Sequence, residues 1–166
     1  GIDTNTTYTY GQVPVQGETF TLSVRGLLGG HSGMDIDKGR GNANKWMARI
    51  LWEMKQVTNI QLISFDGGSL RNAIPREATA VIASSDISVV KSVFAEISAT
   101  LKEEYVSIEP NCQFDLQATA TAEQAMDEDD FSKIISLLCS VHNGVYRMSP
   151  DIAGLVETSS SLARII

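Results

Sequence analysis

Two hydrophobic periods meet across one glycine-rich turn, and this junction limits the available folds more than any other feature of the chain. Phe20, Leu22 and Val24 alternate with Thr21, Ser23 and Arg25, the period of two expected of a half-buried strand. Ala43, Trp46, Met47, Ile50, Leu51 and Met54 then fall at i, i+3, i+4, i+7, i+8 and i+11. That spacing predicts one apolar helical stripe with Asn42 as N-cap. Between the two lie Gly26-Leu27-Leu28-Gly29-Gly30-His31-Ser32-Gly33 and a polar loop over residues 35–41. Glycine reaches φ > 0 at little steric cost. A histidine carried on such a turn is presented outward and not packed away.

The same two periods recur downstream. Residues 60–65 are an apolar run of strand length, closed by Asp66-Gly67-Gly68, and residues 78–83 are β-rich. Pro75 has no N–H for a ladder, so this second strand enters a sheet at an edge or just after the proline. Ser85-Asp86 caps a helix whose stripe is Val90, Val93, Phe94, Ile97 and Leu101, and Phe114, Leu116 and Ala118 alternate again. The order β-α-β-β-α-β predicts an α+β fold, a ferredoxin-like sandwich of two helices on an antiparallel sheet. Additional elements flank it. Tyr8 and Tyr10 alternate in an edge strand broken by Pro14 and Gly17. A third helix opens on the acidic residues 127–130, which suit its positive end, and carries Phe131, Ile134, Ile135 and Leu138. Asn143-Gly144 ends that helix, and residues 155–166 read as a C-terminal strand without a visible partner.

Charge and composition remove whole classes of partner. The formal net charge is −7 with no basic run, which excludes nucleic acid and anionic membrane surfaces as partners. No apolar stretch approaches the ~20 residues of a membrane span, and no signal peptide is visible. Two cysteines, Cys112 and Cys139, without a paired spacing fit a reducing compartment. The chain opens on Gly1 without methionine and stops in the apolar run Leu162, Ala163, Ile165, Ile166, so it reads as part of a longer protein.

Most chemical constellations fail on composition. A metal site needs several converging ligands. Asp35 and Asp37 near His31, and Cys139-x-x-His142, are too few, and Cys139 reads as a buried structural thiol with His142 as a capping or dipole-pairing residue. No serine sits in a nucleophile elbow. Gly39-x-Gly41 before a helix lacks the remaining features of a phosphate cradle. Two stretches survive: Gly29-Gly30-His31-Ser32-Gly33 with Gly41-Asn42-Ala43-Asn44, and Gly67-Gly68-Ser69-Leu70-Arg71-Asn72-Ala73-Ile74-Pro75-Arg76-Glu77-Ala78. Each places hydrogen-bonding side chains on flexible backbone at strand ends. Taken alone, Arg71 and Asn72 are ordinary turn chemistry before a proline.

Together these stretches resemble the lid domain of the dinuclear-zinc exopeptidases, the family of aminoacylase and carboxypeptidase G. The likeness also takes in Glu18-Thr19-Phe20, Asn143-Gly144-Val145 and Val156-Glu157-Thr158-Ser159. The resemblance implies a two-domain hydrolase of the dipeptidase branch, acting on Xaa-His and other dipeptides in the cytoplasm. It implies two zinc ions in the enzyme's own catalytic domain and none in this chain, so that the isolated chain is inactive. By the same resemblance His31 is the catalytic residue that polarises the scissile carbonyl, and Asn72 and Arg71 contact the dipeptide substrate. It further implies a lid unit over residues 1–120, with 121–166 as the helix and first strand of a truncated second half. A homodimer is among the implied assemblies. The alternative is a free-standing ferredoxin-like module that binds a small ligand or a partner.

Overall fold

The alternation that begins at Phe20 becomes the middle of a sheet. In the computed structural model, which describes residues 1–166, the elements in chain order are β1 (Gln12–Pro14), β2 (Glu18–Arg25), β3 (Gly30–His31), α1 (Ala43–Val57), β4 (Gln61–Gly67), β5 (Ala73–Ile74) and β6 (Ala78–Ser84). They continue through α2 (Ile87–Glu104), β7 (Gln113–Ala118), β8 (Gln124–Met126), α3 (Glu128–Ser140), β9 (Gly144–Met148) and β10 (Val156–Ser160). Four strands form one antiparallel sheet in the order β4-β6-β2-β7. This is the predicted split βαβ arrangement, with the first strand of the unit held between its third and fourth.

The register explains why the alternation had to face inward. Leu22 lies opposite Ala80 on β6 and Leu116 on β7, and Val24 lies opposite Ala78 and Phe114. Shifting this pairing by one residue would turn Leu22 and Val24 to the opposite face of the sheet. The α1 stripe is buried as predicted, and with Val90, Phe94, Ile97 and Leu101 of the α2 stripe it joins a core of 25 residues, against which Val93 packs partly buried. Leu22 is fully buried there, and removing such a side chain from water contributes roughly 1.5–3 kcal/mol. Trp46 stacks against Phe114 at 5.8 Å between ring centroids, tying α1 to the edge strand β7. Asn42 and Asp86 cap α1 and α2 as expected, through bonds from the Lys45 and Val89 amides.

The flanking elements depart from expectation in four places. Tyr8 and Tyr10 form no strand, because Asp130 at the start of α3 accepts from the Tyr8 hydroxyl (2.8 Å) and the Gly11 amide (2.7 Å). The chain is drawn to that helix terminus first, and β1 begins only at Gln12, pairing with β8 up to Pro14. Helix α3 stops at Ser140, before Asn143-Gly144. Its last carbonyls are capped by Lys45, whose Nζ donates to Leu138, Cys139 and Val141, and not by His142. Finally, the C-terminal strand does have a partner, since β10 pairs antiparallel with β9. Beyond it the chain returns to the edge of the sheet, where Ile165 and Gly67 exchange backbone hydrogen bonds of 3.0 and 2.9 Å.

Candidate functional site

The pairing of β3 with β5 brings the two glycine-rich stretches together. Gly30 lies opposite Ile74 and His31 opposite Ala73, and the Ser32 amide donates to the Asn72 carbonyl at 2.9 Å. His31 and Asn72 thus occupy neighbouring exposed positions at one end of the sandwich. Only glycine fits the approach to the histidine. Gly30 has φ +135, a conformation that L side chains rarely adopt. A Cβ there would also fall 2.2 Å from Arg40 Nη1 and 2.6 Å from an Asp35 carboxylate oxygen.

The imidazole is oriented by its own loop. His31 Nδ1 accepts from the Gly33 amide at 3.0 Å and from the Met34 amide at 3.3 Å. Because both partners are donors, Nδ1 carries the lone pair, and the neutral ring holds its proton on Nε2. The sequence allows either nitrogen to donate. The geometry selects Nε2–H.

Side chains from several elements grip the peptide groups around this ring. Arg76 Nε donates to the Leu27 carbonyl (3.1 Å), and Arg40 Nη1 donates to the Gly29 carbonyl (2.6 Å). Asp35 Oδ2 accepts from the His31 amide (2.8 Å). A hydrogen bond from Lys38, the His31 amide and the Arg40 charge together hold the Asp35 carboxyl below its ordinary range. Glu109 Oε2 accepts from the Leu28 amide and its Oε1 from the Gly41 amide, each at 2.8 Å. The amide that a phosphate cradle at residues 39–41 would offer is therefore already satisfied by a carboxylate of the same chain. Glu109 is not legible as a site residue in the sequence, since it stands 81 and 68 positions from its partners.

The Arg71–Asn72 turn is held more loosely. The Ala73 amide closes it onto the Leu70 carbonyl at 3.2 Å. Arg71 is 83% exposed and pairs with Asp3 at 3.1 Å. A cleft of about 480 Å3 opens beside the β3–β5 pair, lined by Gly30, Gly68, Leu70, Ile74, Arg76 and Glu77 among others. His31, Arg71 and Asn72 lie outside its lining.

Other candidate groups have structural partners. Asn42 Nδ2 donates to Asn143 Oδ1 (2.8 Å) and to the Leu162 carbonyl (3.2 Å), and Asn44 Nδ2 donates to the Leu162 and Gly67 carbonyls. These asparagines strap the C-terminal segment to the α1 N-terminus. The Cys139 thiol donates to the Ala48 carbonyl, and burial pushes it above the ordinary thiol range. His142 Nε2 lies 3.2 Å from the Gly144 carbonyl, and its ring meets Tyr146 edge-on. No three His, Cys, Asp or Glu side chains converge, so the residues present do not fit a zinc ion.

This fold has counterparts among known proteins. Residues 22–109 match the peptidase dimerisation domain family. Over 149 residues the chain is 42% identical to the cytosol non-specific dipeptidase of Escherichia coli strain K12, a match that covers 89% of this chain and 31% of that protein. The crystal structure of aminoacylhistidine dipeptidase from Vibrio alginolyticus superposes with a TM-score of 0.88 at 39% identity, covering 94% of this chain and 32% of that one. The chain thus spans about a third of the length of these relatives. On its sequence and its fold alike, it belongs to the peptidase dimerisation domain family.

Proposed function

We propose that this chain is the lid of a zinc-dependent dipeptidase, and that His31 polarises the carbonyl of the peptide bond to be cleaved. The observation that carries the reading is the imidazole itself: Nδ1 is tied to two backbone amides, which leaves Nε2–H as an oriented, unspent donor. One well-placed donor to a developing oxyanion is worth ~3–4 kcal/mol. Mounted on a lid, such a donor reaches the substrate only on closure, which couples the chemistry to exclusion of water. Asn72, one strand away, contacts the substrate in this reading, and Arg71 does so after leaving its exposed partner Asp3. Exposed Leu28, Met34 and Leu70 flank the same end of the sandwich and give it an apolar rim.

Zinc and the general-base carboxylate belong, in this proposal, to the enzyme's own catalytic domain, and the isolated chain is inactive. The names of the two relatives support dipeptides, Xaa-His among them, as substrates, and the first also supports a cytoplasmic setting. No helix is long and apolar enough to cross a membrane. The family description supports a homodimer. In this proposal residues 1–120 are the lid unit, and residues 121–166 are the helix and first strand of a second, related half.

The test is turnover in the intact enzyme. His31→Ala should lower kcat by roughly two to three orders of magnitude, the loss found for a single oxyanion donor. Turnover within threefold of wild type would end the catalytic reading of His31.

A further inference from the structure

We infer that Glu109 is a positioning residue for His31, acting through the two ends of the loop that carries it; the inference rests on the reading of His31 above. Glu109 is 1% exposed and is the only charged side chain among the buried residues. Burying a carboxylate is costly unless donors compensate it. Here the compensation comes from two places only, the Leu28 amide on Oε2 and the Gly41 amide on Oε1, both at 2.8 Å.

Those two amides are not arbitrary. Leu28 stands three residues before His31, and Gly41 immediately precedes the α1 N-cap Asn42. The carboxylate therefore joins the exit of the β2 side to the entrance of α1, closing the loop between them on a buried point. Glu109 is itself immobilised, since its amide donates to the Tyr105 carbonyl (2.8 Å) and its carbonyl accepts from the Cys112 amide (3.2 Å). The other grips on the loop come from residues that are less buried than Glu109, with Arg40 and Asp35 intermediate and Arg76 exposed. Glu109 is the one fully buried residue among these grips, with its bond to the Gly41 amide buried and its bond to the Leu28 amide part-buried, and from that fixed point it sets where the loop, and with it the imidazole, is held. A core-filling role alone would be served by an apolar residue of similar volume.

The experiment is a mutant cycle in the intact enzyme, read by steady-state kinetics and by the ring nitrogens of 15N-labelled histidine, with His31→Ala identifying the His31 signals. Glu109→Gln leaves one acceptor and turns an N–H donor toward the other amide. It should lower kcat roughly ten- to hundredfold, the scale of a small misplacement of a reacting group, with KM within twofold. It should convert the single Nε2–H tautomer of His31 to a mixture. In the His31→Ala background it should cause no further fall in kcat. If Glu109→Gln does not fold, Glu109→Asp, which keeps the charge but spans only one amide, is read in the same way. An unchanged tautomer and kcat with only a lower Tm, or an equal fall in kcat in both backgrounds, overturns the inference. Wild-type turnover in His31→Ala would instead remove the catalytic reading of His31, and the ring spectrum of Glu109→Gln would still decide the positioning claim.

Discussion

The loop that carries His31 and the turn that carries Arg71 and Asn72 lie side by side across a two-residue ladder, yet they are held in opposite ways. Around His31, four successive attachments from side chains fix the Leu27 carbonyl, the Leu28 amide, the Gly29 carbonyl and the His31 amide. Around Asn72, the ties are backbone hydrogen bonds and one exposed ion pair. Exposed pairs of that kind typically contribute 0–1 kcal/mol, whereas an amide left without its buried acceptor costs about 1–3 kcal/mol. The difference suits the two tasks proposed for these segments. A group that stabilises a transition state gains from being oriented before the substrate arrives. A group that greets substrates of varied side chain gains from the freedom to adjust.

The sharpest way to break this contrast is Gly30→Ala. Forcing an L residue to φ +135 costs about 1–3 kcal/mol, and the new methyl displaces Arg40 and Asp35. The Tm should fall by roughly 4–10 °C in thermal unfolding, with kcat falling alongside. Next in size is Asn72→Ala. If the loose turn serves binding, KM should rise by roughly tenfold, the equivalent of one good hydrogen bond, with kcat nearly unchanged. A fall in kcat instead would assign Asn72 to the transition state and erase the distinction between the two segments.

The smallest effect is one that acid removes. The Asp35 carboxyl titrates below its ordinary range in the folded chain, chiefly through its bond from Lys38 and then the His31 amide. Its stabilisation is present above the unfolded value of about 3.9 and is lost as pH falls through the lower folded value. Unfolding followed from pH 6 to pH 2 should show Asp35→Asn approaching wild type at the acid end and differing most above about pH 4.

What could be read from the sequence follows from how local each signal is. β2 and β7 carry the strand period, α1 and α2 the helical one, and β4 and β6 are short apolar or β-rich runs, so the ferredoxin-like order is legible without any contact information. β9 was not, because Val145, Tyr146 and Arg147 are half-buried or exposed and show no alternation. β10 consequently read as a strand without a partner, although it pairs with β9. β3 and β5 are two residues each, too short for any period, so their pairing follows only from the fold of the strands around them. The resemblance pointed to His31, Asn72 and Arg71. Arg40 and Glu109 stay silent because they act on backbone atoms, and a backbone carbonyl or amide leaves no mark in the sequence. The capping of α3 was assigned to His142 for a similar reason: Lys45, which performs it, lies more than ninety positions away.

The central claim is that His31 acts on the transition state and not on the bound substrate, and one comparison separates the two. In the intact enzyme, the inhibition constant of a phosphinic dipeptide analogue, which mimics the tetrahedral species, is measured beside the KM of the corresponding dipeptide, in wild type and in His31→Ala. Loss of a donor specific to the developing oxyanion should weaken the analogue by roughly a hundredfold or more while KM stays within about threefold. Equal weakening of analogue and substrate, or no weakening of either, would contradict the account.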